Sequence, residues 1–159
     1  MFGKKKGKEF SVLAPMSGRA LPIESVADEA FSEKMLGDGA AVMPESGVIF
    51  SPVSGVVADI TDTKHAFCIT TPDGTDVLLH VGINTVNLKG EGFSLVVQAG
   101  DTVAAGDKLA EVDLSLLETH GMPFDTPVLL TEPEHYEINH VSEGKVRGGS
   151  DVLFTYKKR

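Results

Sequence analysis

The sequence predicts an all-β domain, a sandwich or barrel with a few short helices. Glycine is abundant, with 17 residues, and short runs of β-branched residues alternate with turn-forming residues. This alternation is typical of strands that fold back on their neighbours. The predicted strands are 48–50, 55–60, 66–70, 77–81, 95–97, 108–112, 126–130 and 152–156.

Two short helices are predicted from their capping residues. Asp113 can cap a helix over 114–118, with Gly121 as its stop. Thr131 and Glu134 have the spacing of a capping box, which predicts a second helix over 135–140.

A weak internal repeat supports the all-β prediction. A Pro-x-Ser-Gly turn followed by a strand occurs at Pro15 and again at Pro52, offset by 37 positions. Duplication of one unit and chance similarity between turns both explain it, and we favour duplication.

Length and charge limit the organisation of the chain. Its 159 residues suit one domain, which we place at 10–159 after a flexible basic tail at 1–9. The lysines of this tail could contact an anionic membrane, but a solvated terminus is the simpler interpretation. The net charge of −9 opposes binding to nucleic acid. Without a signal peptide or membrane span in the sequence, we expect a cytoplasmic protein. We also expect it to be a monomer.

Two histidines are the candidate functional residues. His80 lies in an apolar strand, where an imidazole is costly to bury, and His65 precedes it by fifteen positions. Pro72 and Gly74 predict a turn between the two strands. A two-residue loop would place the rings directly opposite each other, whereas a glycine bulge at Gly74 would shift the register by one and separate their faces.

Such a pair suits phosphoryl transfer, because one neutral imidazole can accept the group while the other stabilises its charge. Thr63 is two residues before His65, so on a strand its hydroxyl would share that face and could orient the ring. Two alternatives stay open: core histidines bonded to backbone carbonyls, and a zinc site. Cys68, the lone cysteine, has the wrong parity for a third ligand and is predicted to be in the core. His120, His135 and His140 are predicted to be surface residues.

A long motif resembles a known family. The run 79–93, Leu-His-Val-Gly-Ile-Asn-Thr-Val-Asn-Leu-Lys-Gly-Glu-Gly-Phe, is similar to the signature of the glucose-type enzyme IIA of the bacterial sugar phosphotransferase system. Flanking blocks that agree are 14–18, 33–39, 51–55, 63–67 and 100–103. The likeness extends from about Phe10 to the C-terminus.

The resemblance implies a compact antiparallel β-sandwich of the duplicated hybrid motif type. It further implies that His80 is phosphorylated on Nε2, that His65 binds the phosphate and that Thr63 is hydrogen-bonded to His65. The donor is then a histidine of the histidine-containing phosphocarrier protein, and the acceptor is a cysteine of the IIB domain of a sugar permease. No metal or cofactor is expected.

The resemblance also suggests residues that contact partners, namely Asp38, Asn84 and Val86. Asn84 replaces an aspartate of the best-studied glucose members, which removes one acidic charge from the rim of the site. The alternatives are a regulatory module that binds transporters or kinases according to the charge on His80, and a zinc hydrolase of similar architecture. Which sugar is transported is a property of the permease, and the chain could be free-standing or a domain of a fusion.

Overall fold

The computed structural model describes residues 8–159 and confirms the all-β prediction. Within this range the α-helices are α1 (Glu29–Ser32) and α2 (Leu114–Thr119), both short. The strands are β1 (Glu9–Leu13), β2 (Gly18–Pro22), β3 (Asp38–Pro44), β4 (Val48–Phe50), β5 (Gly55–Ile60), β6 (Ala66–Thr70), β7 (Asp76–His80), β8 (Phe93–Leu95), β9 (Thr102–Val103), β10 (Lys108–Val112), β11 (Thr126–Leu130), β12 (Tyr136–Asn139), β13 (Gly144–Val146) and β14 (Val152–Lys158).

The strands form three antiparallel sheets. The large sheet has the order β13-β2-β3-β11-β7-β6-β5-β9, and two three-stranded sheets have the orders β1-β14-β12 and β4-β10-β8. The main core combines fully buried side chains from all three sheets, among them Phe67, Leu109 and Phe154. Burial of this apolar surface is the main stabilising contribution to the fold.

The outer face of the large sheet carries a second, smaller apolar cluster. Ala41 and Leu129 project from this face and pack with Ile23, Val26 and Phe31, which belong to the segment around α1. Central strand β11 is consequently buried along its whole length, with one face in each cluster. The α1 segment therefore covers part of the sheet that would otherwise face water.

Most predicted strands are present, and one predicted helix is wrong. The helix after Asp113 is confirmed, since the Asp113 carboxylate accepts a hydrogen bond from the Ser115 backbone N–H. Residues 135–140 instead contribute to a 3₁₀ turn and to β12, which pairs with β14. Sheet pairing there prevails over a local capping signal.

The repeated turns occupy equivalent positions. Gly18 begins β2 and Gly55 begins β5, and at each a Cβ atom would overlap a carbonyl oxygen of the neighbouring strand, that of Met43 or Thr70. Both turns thus need glycine for close approach of the chains.

The register of the β6–β7 hairpin decides between the two loops that the sequence allows. Ala66, not His65, pairs with His80. Thr71 accepts a hydrogen bond from the Gly74 N–H at 2.9 Å, and Gly74 has a φ of 88°, so the loop contains the glycine bulge. The shifted register is the one formed.

The predicted basic tail lies outside the described residues except for Lys8 and Glu9. Lys8 is exposed, and Glu9 already pairs with Lys157 at the start of β1. Within the described part of the chain, no helix is long and apolar enough to cross a membrane.

Two glycine substitutions test these backbone constraints. Gly74→Ala should lower the free energy of unfolding by about 1 kcal/mol, because its positive φ is strained for alanine but the space around it is open. Gly39→Ala should cost at least about 3 kcal/mol, because its Cβ would overlap the Val128 carbonyl oxygen. Urea unfolding measures both changes. Equal losses of unfolding free energy in the two variants would contradict the close pairing of β3 with β11.

Candidate functional site

His80 lies on the outer face of the large sheet, at the end of β7. Val77 and Leu79 point into the main core, while Leu78 and His80 alternate with them and are half-buried. The apolar run that contains His80 is therefore a strand with one face in the main core and the other partly exposed to solvent. Cys68 pairs with Leu78 and is also half-buried, so its predicted place in the core is wrong.

His65 reaches the same site by a break in the strand geometry. It immediately precedes β6, and Lys64 before it has a left-handed φ of 65°. In a regular strand, side chains alternate strictly between the two faces, which would separate the two rings. This alternation ends at the turn before β6. The ring centroids of His65 and His80 are 4.8 Å apart with an interplanar angle of 78°. The structure thus brings the two histidines together despite the shifted register.

A backbone carbonyl fixes the orientation of the His80 ring. Nδ1 of His80 lies 2.8 Å from the Gly82 carbonyl oxygen, which can only accept, so the proton resides on Nδ1. Nε2 then carries the lone pair. Gly82 has a φ of 74°, and a Cβ there would come within 2.7 Å of Thr85 Cγ2. Glycine at this position is required for the carbonyl to face the ring.

Threonine hydroxyls orient the His65 ring. Thr63 Oγ1 lies 2.7 Å from Nδ1 of His65, although Thr63 is in the turn rather than on a strand as predicted. Thr61 Oγ1 lies 3.4 Å from the same nitrogen and accepts a hydrogen bond from the Ala66 N–H. Nε2 of each histidine has no hydrogen-bond partner within residues 8–159 and retains some contact with solvent.

Burial keeps both rings uncharged at neutral pH. Burial, followed by the neighbouring His80 ring, lowers the pKa of His65 to about 4, opposed by a contact with the Thr63 backbone. Burial also lowers the pKa of His80, opposed by the Gly82 hydrogen bond and the charge of Asp28. Neutral imidazoles are the form in which a ring nitrogen can act as a nucleophile.

Residues around α1 complete the site and escaped the sequence predictions. The Phe31 ring lies 5.0 Å from the His80 ring between centroids, and Asp28 caps α1 by accepting a hydrogen bond from Ala30. The Asp28 carboxylate also acts on the pKa of His80. An aspartate before Glu29 and Ala30 is a recognisable helix cap, but its proximity to His80 has no local signal.

The three residues predicted to contact partners differ in their surroundings. Asp38 begins β3, and its carboxylate lies 3.6 Å from Lys34 Nζ. Asn84 is exposed in a left-handed conformation, with a φ of 64°. Val86 follows in a 3₁₀ turn and is 49% exposed. The last two lie directly after the strand end that carries His80.

The remaining histidines are exposed, as predicted. His120 follows α2, while His135 and His140 flank β12. Among residues 8–159, the group that could hold a metal is Glu132, Glu134 and His135, fully on the surface and without His65 or His80. The two site histidines therefore have no third ligand among the described residues.

Both histidines are shielded from solvent, His80 half-buried and His65 buried, and neither lines the cavity at the other end of their hairpin. A cavity of about 380 Å³ lies at the turn end of the β6–β7 hairpin, lined in part by Phe10, Pro72 and Tyr156. The histidines are at the opposite, open end of this hairpin. A pair that lies outside this cavity and keeps its Nε2 atoms in contact with solvent suits a macromolecular partner better than a small enclosed substrate.

Comparison with known proteins identifies relatives along nearly the whole chain. A family model described as "phosphoenolpyruvate-dependent sugar phosphotransferase system, EIIA 1" matches residues 10–136. The glucose-specific EIIA component of Haemophilus influenzae is 39% identical over 99% of this chain and 96% of its own. An N-acetylglucosamine-specific EIICBA component of Klebsiella pneumoniae is 36% identical over 92% of this chain but only 23% of its own.

A solved structure agrees with these matches. The glucose permease IIA of Mycoplasma capricolum superposes with a TM-score of 0.87 at 40% identity, covering 93% of this chain and 96% of that chain. Both the sequence and the arrangement of strands are therefore shared.

The buried His65 predicts a pH dependence of stability. The unfolded chain binds a proton on this residue below about pH 6.5, whereas the folded chain binds it only near pH 4. The free energy of unfolding should therefore fall as the pH drops from 6.5 towards 4, by up to about 3 kcal/mol from this residue. Above pH 7 the His65 ring is neutral in both the folded and the unfolded state, so it adds no pH dependence to the free energy of unfolding.

Urea unfolding of wild type and His65→Gln between pH 4 and 8 measures this contribution. The wild type should lose more stability on acidification than the variant. His120→Gln, which removes an exposed ring, is the matched control. Parallel pH curves for wild type and His65→Gln would show that folding does not suppress protonation of His65.

Proposed function

The chain belongs to the EIIA 1 family of the phosphoenolpyruvate-dependent sugar phosphotransferase system, and we propose that Nε2 of His80 carries the phosphoryl group. The chain is a phosphocarrier, a phosphotransferase component of that system. The observation that supports the choice of atom is the hydrogen bond between Nδ1 of His80 and the Gly82 carbonyl at 2.8 Å. It leaves the lone pair on the nitrogen that remains accessible.

The proposed reaction exchanges one phosphorus–nitrogen bond for another. The Nε2 lone pair attacks the phosphorus atom of a phosphohistidine on the histidine-containing phosphocarrier protein. The donor's bond to phosphorus breaks, and its electron pair returns to the donor ring. The His80 ring keeps its proton on Nδ1 throughout, with the Gly82 carbonyl stabilising the positive charge that develops as the new bond forms.

His65 is proposed to stabilise the transferring group. A hydroxyl of Thr63 that donates to Nδ1 of His65 leaves the ring proton on Nε2, from which it can be donated to a phosphate oxygen. The 4.8 Å between ring centroids brings that proton next to the group held by His80. Low exposure of His65, at 5%, strengthens this contact because little water competes for it.

The onward acceptor is proposed to be a cysteine of the IIB domain of a sugar permease. Its thiolate attacks the phosphorus atom, the bond to His80 breaks, and the electron pair returns to Nε2. Relatives named EIICBA, in which this domain makes up a minor part of a longer chain, support a permease as the partner. Their names include N-acetylglucosamine-specific and glucose-specific components, so the domain alone does not specify the sugar.

Docking is proposed to use the surface around His80. Met35, Leu36 and Val86 are 71%, 45% and 49% exposed, on the two segments that flank the ring. Asp28 and Asp38 add negative charge, and Asn84 contributes an uncharged polar group at the rim. An apolar surface with acidic neighbours suits protein partners with basic rims, and the cytoplasm is the expected location.

Replacing the nucleophile should abolish the activity. His80→Gln keeps a polar side chain but lacks a nucleophilic nitrogen, so incorporation of phosphate from phosphoenolpyruvate, given the general phosphotransferase proteins, should fall to background. His120→Gln should be labelled like the wild type. Full labelling of His80→Gln would place the phosphoryl group on another residue.

Replacing the stabilising ring should separate the two half-reactions. His65→Gln should still accept phosphate, but transfer to a purified IIB domain should slow by about 100-fold, because a hydrogen bond to developing charge is lost. Single-turnover transfer from phosphorylated protein measures the rate. An unchanged rate would remove His65 from the transfer step.

A further inference from the structure

We propose that Asp125 is a positioning residue for phosphoryl transfer at His80. It acts through residues 23–36, which we term the cover segment and which carry Asp28 and Phe31 at the histidine ring. This inference rests on the proposed role of His80 as the phosphoryl acceptor. Asp125 itself does not contact the ring and is not assigned a chemical step.

The first observation is a buried carboxylate with a long-range partner. Asp125 is only 4% exposed, and its Oδ2 atom accepts a hydrogen bond from the Ala27 backbone N–H at 3.1 Å, across 98 positions of sequence. Together with the Lys34–Asp38 ion pair, this hydrogen bond connects the cover segment to the rest of the domain. A carboxylate is costly to bury unless its oxygens are used, so this contact explains its presence.

The second observation is that the cover segment has little structure of its own. Its helix α1 comprises four residues, far fewer than an isolated helix needs in water. Its place on the sheet depends on the apolar side chains that it packs into the outer cluster and on two polar contacts, the bond at Ala27 and the Lys34–Asp38 ion pair. Asp28, the cap of α1, is the residue directly after that bond.

The third observation is that the stretch around Asp125 also supports the other side of the His80 ring. The Pro123 carbonyl accepts a hydrogen bond from the Ile83 N–H at 3.1 Å, and Thr126 Oγ1 accepts one from the Gly82 N–H at 3.3 Å. Gly82 provides the carbonyl that orients the ring. Residues 123–126 therefore connect the group that orients His80 with the segment that packs against it.

Removing the carboxylate should allow the cover segment to shift relative to His80. Asp125→Ala should slow phosphoryl transfer to and from His80 by about tenfold, because transfer depends on precise placement of the ring. The His80 and Phe31 ring signals in NMR spectra should move, and the titration of His80 should change as Asp28 is displaced. Asp125→Asn retains an oxygen acceptor and should restore both the rate and the spectra.

A control separates positioning from loss of stability. Asp113→Ala removes the cap of α2, whose carboxylate accepts from Ser115, and should reduce stability while leaving transfer and the His80 signals unchanged. Wild-type rates and ring signals in folded Asp125→Ala would overturn the proposal. So would equal losses in Asp125→Ala and Asp125→Asn, since the charge rather than the hydrogen bond would then matter.

A measurement on the wild-type protein covers the case in which Asp125→Ala does not fold. Hydrogen exchange of the Ala27 amide should be at least about tenfold slower than that of a freely exposed amide, because its proton is held by Asp125. Exchange at the free rate would overturn the proposal. These spectroscopic tests need no phosphoryl transfer, so labelling of His80→Gln would overturn the proposed function without deciding the role of Asp125 in holding the cover segment.

Discussion

The site depends on one hydrogen bond, from Nδ1 of His80 to the carbonyl oxygen of Gly82 at 2.8 Å. An imidazole alone can carry its proton on either nitrogen, and only one of these forms leaves Nε2 nucleophilic. The bond selects that form and holds the ring plane. It requires the chain to turn sharply just after the strand, at a residue with a φ of 74° and no room for a Cβ atom. The position of the strand end, the glycine at residue 82 and the tautomer of His80 therefore depend on one another.

The position of His80 on the outer face of the large sheet allows the oriented ring to react with a partner. Had His80 pointed inward like Leu79, which is fully buried, its ring would have been sealed from any partner. On the outer face it is buried enough to lose its charge and accessible enough to react. The cover segment places the Phe31 ring against His80, and the turn before β6 places the His65 ring against it. Two loops and a strand end thus create an environment that no single element provides.

The sequence predicted which residues meet at the site better than it predicted their geometry. The His80 and His65 pair, the Thr63 contact and the all-β class follow from residue types, turn signals and a long family motif. Of the two registers that the hairpin loop allows, the one that opposes the rings directly does not form. Lys64, in a left-handed conformation, ends the alternation before His65 and so cancels the expected effect of the shift. Parity relative to His65 fails for Cys68 because His65 lies before β6 and outside its alternation. Asp28 and Asp125 had no local signal, since their relevance arises from contacts between distant segments.

The neutral state of both rings has a consequence for the proposed phosphorylated form. Burial and the neighbouring His80 ring lower the pKa of His65, so the free protein presents no positive charge on this ring at neutral pH. A phosphoryl group on His80 would replace that neighbour by a negative charge, which favours the protonated form of His65. His65, uncharged before transfer, would then become a better hydrogen-bond donor after it. The low pKa of His65 in the free protein is therefore compatible with its role as a stabiliser, because the charge it is to stabilise is also the charge that raises its pKa.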